Sequence, residues 1–253
     1  GNYAVVVNDS KGCQVIKYIT ILQPPAINIT SSVSSINCFG ETGNIDLTVT
    51  GGSGNYTYTW NNNASTQDLS GVTAGTYSVT VSDANNCSVT SSVSVAAPAA
   101  LTAAASVTNV TCHGGNNGSV VVSASGGTGG YTGTGSYSSL TAGDYTYTVT
   151  DAHGCTASVS PTVTDPAALA VTTTATGVSC NTANGGNHTN GSIATSVTGG
   201  TGSYSYSWLG GASGANPSAL SAGTYTVTVT DAANCTVTGS ATVTQPSQLS
   251  ATL

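Results

Sequence analysis

The stretch that decides the fold reads AGTYSVTVSDANNC and spans residues 74–87. From Tyr77 to Val81 apolar and polar residues alternate, which is the period of a half-buried β-strand. Asp83 then opens a turn sequence, because an Asp side chain can cap a turn and the Asn residues after it tolerate a left-handed backbone. The stretch therefore predicts a strand that ends in a tight turn just before Cys87.

The same stretch occurs four times in the chain, at residues 1–13, 75–87, 143–155 and 223–235. Every copy keeps the same spacing between its Tyr, its Asp, its Cys and the Pro that follows the Cys. These positions are Tyr3, Tyr77, Tyr145 and Tyr225; Asp9, Asp83, Asp151 and Asp231; and Pro24, Pro98, Pro166 and Pro246. The intervals between the prolines are typical of small domains and too long for a solenoid repeat.

We predict five segments from these boundaries. Residues 1–25 are the C-terminal part of a truncated repeat, and residues 247–253 are the start of a further one. Three complete repeats lie between them, at 26–98, 99–166 and 167–246.

Each complete repeat contains about seven short strand patterns, which predicts an all-β fold: a tandem array of small immunoglobulin-like antiparallel β-sandwich domains. In the complete repeats an apolar residue precedes the repeated Tyr by five positions, as in a tyrosine corner, and we extend this role to Tyr3. Trp60 and Trp208 are predicted core residues, and the four repeated Asp are predicted turn caps. The middle repeat lacks the Trp, so we expect it to have a smaller core and lower stability.

Composition excludes several classes of function. Only 4% of the residues are charged, the net charge is −7, and the chain contains 43 Thr and 35 Ser. Both cations, Lys11 and Lys17, lie near the start. Nucleic acids and anionic membranes need a basic surface, so we expect neither as a partner. No apolar run approaches the roughly 20 residues of a membrane-spanning helix, so we expect no membrane insertion.

The seven cysteines occupy two positions of the repeat. Start-of-repeat cysteines are Cys38, Cys112 and Cys180; end-of-repeat cysteines are Cys13, Cys87, Cys155 and Cys235. One possible pairing lies within repeats, as Cys38–Cys87, Cys112–Cys155 and Cys180–Cys235. The other crosses repeat boundaries at a constant spacing, as Cys13–Cys38, Cys87–Cys112 and Cys155–Cys180. We favour pairing within repeats, which leaves Cys13 unpaired because the first half of its repeat is missing.

Motifs that carry chemistry are scarce. The histidines His113, His153 and His188 lie in variable Gly/Asn-rich loops, and neither a catalytic triad nor a pair of carboxylates recurs between repeats. No Cys-x-x-Cys pair is present. We therefore expect no enzyme activity, no metal and no cofactor. Tyr56, Tyr58 and Trp60 alternate along one strand, so an array of carbohydrate-binding modules that uses such Tyr/Trp faces is the alternative function.

The full pattern of the repeat resembles the SprB-type repeat. In the third repeat it is carried by Cys180, Gly191-Ser192-Ile193, Gly199-Gly200, Tyr204, Tyr206, Trp208, Leu220 to Thr230, Asp231, Cys235 and Pro246. Such repeats occur in very large surface proteins of Bacteroidota, including gliding-motility adhesins. The resemblance implies export across the outer membrane and a role as an adhesive or filamentous surface element, and it implies no catalytic residues.

The sequence therefore predicts the structural repeat region of a large secreted surface adhesin or extracellular filament, which acts as an extended, disulfide-stapled spacer. We expect an extracellular or cell-surface location, because disulfides persist in oxidising compartments. The expected partners are neighbouring repeats of the same chain, with copies of itself in a filament and surface glycans as further candidates.

Overall fold

A computed structural model describes residues 1–180 and 188–248, and its regular secondary structure consists of β-strands. The first two strands, β1 (Asn2–Asn8) and β2 (Gln14–Thr20), form an antiparallel hairpin in which Asn2 pairs with Thr20. All side chains of this hairpin are exposed, including that of Tyr3. The hairpin is the structural counterpart of the last two strands of the first and third complete repeats.

The first complete repeat is a sandwich of two three-stranded sheets. Its strands are β3 (Asn28–Val33), β4 (Gly43–Thr50), β5 (Thr57–Trp60), β6 (Leu69–Val72), β7 (Gly75–Ser82) and β8 (Ser88–Val95). One sheet has the order β3-β4-β6 and the other β5-β7-β8. Alternate residues of β4 and β7 are buried, as the period of two predicts, and Ile45, Leu47, Val79 and Val81 meet Trp60 in a single core.

The middle repeat is built from β9 (Thr102–Thr108), β10 (Gly118–Ser125), β11 (Gly135–Leu140), β12 (Gly143–Asp144), β13 (Tyr147–Thr150), β14 (Thr156–Val159) and β15 (Thr162–Val163). Its sheets are β11-β10-β9, β12-β15 and β13-β14. The strand that carries Trp60 in the first repeat is reduced here to a single bridge residue, Thr132. Five apolar residues are buried in the middle repeat, against ten in the first. The core is thus smaller, and lower stability stays a prediction.

A pair of tyrosines takes the place of the tryptophan in the middle repeat. Tyr137 pairs with Val120 as Leu69 pairs with Ile45 in the first repeat, and Tyr147 occupies the position of Val79. The two tyrosine rings pack with their centroids 4.3 Å apart. Two half-buried rings from strands of different sheets therefore pack at the positions that Leu69 and Val79 occupy in the first repeat.

The third repeat contains β16 (Ala170–Thr176), β17 (Ser192–Thr198), β18 (Ser205–Leu209), β19 (Gly223–Thr230) and β20 (Thr236–Val243). Its sheets are β16-β17 and β18-β19-β20. In place of β6 there is a single bridge between Gly191 and Leu220. Trp208 is only half-buried at the edge of this core, whereas Trp60 is 2% exposed.

Two compact units make up the chain. The first comprises residues 1–102, 125–131 and 150–156; the second comprises residues 103–124, 132–149 and 157–253. Two loops of the middle repeat thus belong with the first repeat. The predicted fold class, all-β with small immunoglobulin-like antiparallel sandwiches in tandem, is confirmed by the paired sheets. The predicted repeat boundaries stay a prediction, and of residues 247–253 only 247 and 248 lie among those described.

The two tryptophans provide a matched test of the cores. We expect Trp60→Ala to lower the local free energy of unfolding by about 3–5 kcal/mol, because it empties a fully buried site. Trp208→Ala should cost clearly less, because that side chain is half-buried. Native-state hydrogen exchange of the β7 and β19 amides measures the two effects separately, and equal losses would contradict the difference in burial.

Candidate functional site

The turn before each end-of-repeat cysteine is built around one carboxylate. In the first complete repeat, Oδ1 of Asp83 accepts hydrogen bonds from the backbone N–H groups of Asn85 and Cys87, both at 2.9 Å. The N–H of Asp83 in turn donates to the carbonyl oxygen of Cys87. The same bonds form at Asp9, Asp151 and Asp231. Each end-of-repeat cysteine is therefore held in place by the Asp four residues before it.

In the three complete repeats the second carboxylate oxygen joins this turn to a Gly-Gly loop. Oδ2 of Asp83 accepts the N–H of Ser53, Oδ2 of Asp151 that of Thr128, and Oδ2 of Asp231 that of Thr201, at 2.8–2.9 Å. These three Asp residues are only 5% exposed. One carboxylate per repeat thus connects two loops that lie far apart in the sequence.

The Gly-Gly pairs allow this close approach. Gly51 and Gly52 both have positive φ, and a Cβ on Gly51 would overlap the carbonyl oxygen of Ala26. The N–H of Gly52 donates to the carbonyl oxygen of Pro25. The same contacts form at 126–127 and 199–200. The loop therefore lies against the backbone at the start of its own repeat, and a side chain would force it away.

A tyrosine completes the loop in each complete repeat. The hydroxyl of Tyr56 donates to the carbonyl oxygen of Gly51, that of Tyr131 to Gly126 and that of Tyr204 to Gly199, at 2.5–2.7 Å. Together the Asp, the Gly-Gly pair and this Tyr define one end of each repeat, which we call the leading end because the chain comes into the repeat there.

The aspartates have pKa values below the ordinary value. For Asp83 and Asp231 desolvation is the largest single influence and raises the pKa, but the three backbone N–H donors together outweigh it. For Asp151 the N–H of Thr128 is the largest influence and lowers the pKa. At Asp9 the N–H of Cys13 has the largest effect, also downward on the pKa. The charged carboxylate is therefore the form that the fold selects.

The disulfides correct the predicted pairing. Cys38 is bonded to Cys155 and Cys112 to Cys235, with Cα–Cα distances of 5.7 and 5.6 Å. Both bridges join a start-of-repeat cysteine to the end-of-repeat cysteine of the next repeat. Neither the favoured pairing within repeats nor the alternative across boundaries occurs. Cys13, Cys87 and Cys180 are exposed free thiols.

The strand directions explain why the predicted pairing within repeats was wrong. The start-of-repeat cysteine follows the first strand, so it lies where the chain leaves the repeat, which we call the trailing end. There the neighbouring Gly114 donates to Asp165, and Val178 donates to the carbonyl oxygen of Thr244. The end-of-repeat cysteine lies in the Asp turn at the leading end. A strand of six to eight residues separates the ends by about 20 Å, far beyond the reach of a disulfide.

The surroundings of the two bridges are equivalent. Around Cys38–Cys155 a shallow depression is lined by Phe39 and by Ala100 and Leu101, the first residues of the next repeat. Around Cys112–Cys235 the corresponding residues are His113, Ala168 and Leu169. In each case the Sγ of the end-of-repeat cysteine lies 3.4 Å from the carbonyl oxygen just before its partner. The two junctions are copies of one arrangement.

The repeated tyrosines of the complete repeats and the two tryptophans all donate hydrogen bonds to nearby backbone carbonyl groups. Hydroxyls of Tyr77, Tyr145 and Tyr225 donate to the backbone carbonyl four residues upstream, at 2.9–3.1 Å. The indole N–H groups of Trp60 and Trp208 each donate to a carbonyl six residues downstream. Sequence reasoning overlooked the role of Tyr56, Tyr131 and Tyr204 in the Gly-Gly loop, although the constant Gly-Gly-x-x-x-Tyr spacing is a signal for it.

The aromatic side chains proposed for glycan binding make contacts within their own repeat. Tyr56 bonds Gly51, the hydroxyl of Tyr58 donates to the side chain of Gln67, and Trp60 is buried. Among residues 1–180 and 188–248, no group of three His, Cys, Asp or Glu side chains could hold a metal ion. No helix in the same residues is long and apolar enough to cross a membrane. Glycan binding stays an untested prediction.

A comparison with protein-family models agrees with the repeat pattern. Residues 30–65 and 104–132 match the family model of the SprB repeat, which confirms the resemblance in the first and middle repeats. No curated protein matches the chain. Among solved structures it is similar to one described as "Structural basis for Dscam isoform specificity", with 12% identity over 97% of this chain and 80% of that chain and a TM-score of 0.29. Another is a complex of Dpr2 Ig1-Ig2 with DIP-Theta Ig1-Ig3, with 9% identity, 86% and 98% coverage and a TM-score of 0.31.

The Asp turn makes the stability of a repeat depend on pH. Because the folded-state pKa of Asp83 is lowered, its contribution is present above about pH 4 and is lost as the pH falls through the folded-state value. We expect Asp83→Asn to be less stable than the parent at pH 7, with a difference that narrows as the pH falls through the lowered pKa of Asp83. In a variant that also carries Trp208→Phe, the fluorescence of Trp60 measures the unfolding of the first repeat. Asp46→Asn, at an exposed position of β4, is the control and should show no such difference.

The close approach at the Gly-Gly loop can be tested with two glycines. Gly51 and Gly54 both have positive φ, but only Gly51 faces backbone at short distance. We expect Gly54→Ala to cost about 1–2 kcal/mol, the strain of a left-handed alanine, and Gly51→Ala to cost considerably more. The same Trp60 fluorescence in denaturant measures both. Equal losses would mean that the contact with Ala26 is unimportant.

Proposed function

We propose that this chain is a structural repeat region of a large secreted surface protein, either an adhesin or an extracellular filament, in which disulfides staple successive repeats into a spacer. The observation that carries the proposal is the bridge from the trailing end of one repeat to the leading end of the next, formed in the same way at both junctions. The effect of such a bridge is to connect repeats covalently a second time.

The energetics support a mechanical role. The bridges close loops of 117 and 123 residues, and loops of this size stabilise a folded chain by about 4–5 kcal/mol each in the chain-entropy model. The cores themselves are small, with five buried apolar residues in the middle repeat. Covalent connections therefore supply a large share of what keeps neighbouring repeats folded.

The same features support the proposed location and partners. Stable disulfides require an oxidising compartment, which supports a cell-surface location. The match to the SprB repeat supports a place in surface proteins of the kind that includes gliding-motility adhesins. The partners proposed are neighbouring repeats, with copies of the chain in the case of a filament. We assign no catalytic role to any residue.

Single-molecule force spectroscopy tests the mechanical role. The two disulfide loops overlap, so the shortest covalent path from Cys38 to Cys235 runs through both bridges and only the segment between Cys112 and Cys155. At about 3.5 Å per residue, we expect reductant to lengthen the fully unfolded chain by about 530 Å. The same length with and without reductant would contradict the proposal.

Cysteine variants provide the controls for this measurement. Cys87→Ser removes a free thiol and should leave the unfolded length unchanged. Cys112→Ser combined with Cys235→Ser removes one bridge and leaves Cys38–Cys155. The oxidised, unfolded variant should then be shorter than the reduced chain by about 400 Å. Only the removal of both bridges should give the full length under oxidising conditions.

A further inference from the structure

Two of the free cysteines occupy positions that are bridged elsewhere in the same chain. Cys180 is the start-of-repeat cysteine of the third repeat and corresponds to Cys38 and Cys112. Cys87 is the end-of-repeat cysteine of the first repeat and corresponds to Cys155 and Cys235. Their environments can therefore be compared directly with the two bridged junctions.

The surface around Cys87 repeats one half of a bridged junction. Cys87 is held by Asp83 with the same two hydrogen bonds that hold Cys155 and Cys235. It lines a depression together with Pro25, Ala26 and Ile27. Ala26 and Ile27 correspond to Ala100-Leu101 and Ala168-Leu169, the residues that face the partner loop at the two bridges. At each bridge the other half of the junction is a loop in which a cysteine is followed by Phe39 or His113. At Cys87 no part of the described chain provides this loop.

Cys180 presents the other half of a junction. The residue before Cys112 is anchored by Asn117, which accepts the N–H of Thr111 and donates to its hydroxyl. Asn190 makes the same pair of hydrogen bonds with Ser179, the residue before Cys180. Cys180 is therefore held at the trailing end of its repeat in the way that Cys112 is held.

The sequence on either side of the complete repeats shows which partner fits. The hairpin β1–β2 corresponds to β7–β8, including the Asp turn at Asp9 and Cys13, so it belongs to a repeat whose own start-of-repeat cysteine would face Cys87. Pro246 to Leu249 corresponds to Pro98 to Leu101, with which the middle repeat opens. The end-of-repeat cysteine of a repeat that opens in this way would face Cys180.

We propose that Cys87 and Cys180 are each half of a disulfide that a further repeat of the same kind in the same polypeptide completes. Cys87 takes the start-of-repeat cysteine of the repeat before it, and Cys180 takes the end-of-repeat cysteine of the repeat after it. In each step two thiols lose two protons and two electrons to a disulfide oxidant, which is reduced to two thiols while the new S–S bond forms. The inference concerns connectivity and holds whether or not the array serves in adhesion.

Extension of the chain by one repeat tests the prediction for Cys180. A copy of residues 167–246 is placed directly after Pro246, and the protein is oxidised with glutathione disulfide. Digestion with pepsin at low pH without reduction, followed by mass spectrometry, identifies the linked peptides. We expect Cys180 to be linked to the Cys235 of the added copy, and the Cys180 of the added copy to be free. A Cys180 that stays free, or that pairs within its own repeat, overturns the proposal.

Extension at the other end tests Cys87. A copy of residues 26–74 placed before Gly1 completes the repeat to which β1 and β2 belong and adds a second Cys38. We expect this added Cys38 to be linked to Cys87 and not to Cys13, which lies in its own repeat. A link to Cys13 overturns the proposal, as do intermolecular dimers that join Cys87 of one copy to Cys180 of another.

Both experiments contain their own controls. The Cys38–Cys155 peptide must be recovered from every extended chain, which shows that the original repeats have folded. In the chain extended after Pro246, a Cys235→Ser substitution confined to the added copy should leave Cys180 free. The number of free thiols should then be one higher than in the extended chain without the substitution. An unchanged number would show that Cys180 had found another partner and would count against the proposal.

Discussion

The carboxylate of Asp83 accepts hydrogen bonds from three backbone N–H groups that belong to two separate loops. Without it, the Gly-Gly loop and the turn before Cys87 would each have donors that face a buried space without an acceptor, which is costly. The same residue type does the same work at Asp151 and Asp231. Among the described residues each complete repeat thus has one buried carboxylate, which accepts hydrogen bonds from backbone N–H groups of two loops.

This arrangement also sets the position of the cysteines. The Asp turn holds one cysteine at the leading end of a repeat, and the first strand carries the other cysteine to the trailing end. Two ends separated by the length of a strand cannot be joined within one sandwich, but the trailing end of one repeat and the leading end of the next can. The disulfide pairing therefore follows from the strand directions, which place the two cysteines of one repeat at opposite ends.

The sequence is informative where structure is local. Alternation along Tyr77 to Val81 and the Asp turn after it predict a strand and a tight turn, and they do so at each repeat. The disulfide pairing escaped prediction because it depends on which end of the sandwich each cysteine occupies, and a constant spacing between cysteines carries no such information. The strand order could have supplied it: one cysteine follows the first strand and the other precedes the last, and both strands run the same way.

Individual cores were harder to foresee than the fold. Trp60 and Trp208 occupy equivalent positions, yet the burial of Trp208 is incomplete because the strand β6, present in the first repeat, is reduced to one bridge in the third. The pair Tyr137 and Tyr147 fills space in the middle repeat through a contact between strands that are not neighbours in the sequence. A contact of this kind depends on which side chains the folded strands bring together, and the sequence pattern of a single strand does not contain that information.

The overlap of the two disulfide loops changes what a break in the backbone would do. Cys112 lies inside the loop closed by Cys38 and Cys155, and Cys155 lies inside the loop closed by Cys112 and Cys235. A single cut at any peptide bond between Cys38 and Cys235 therefore leaves both pieces joined through at least one sulfur–sulfur bond. Over this span the chain can be nicked without being severed, which makes its covalent continuity independent of any one peptide bond.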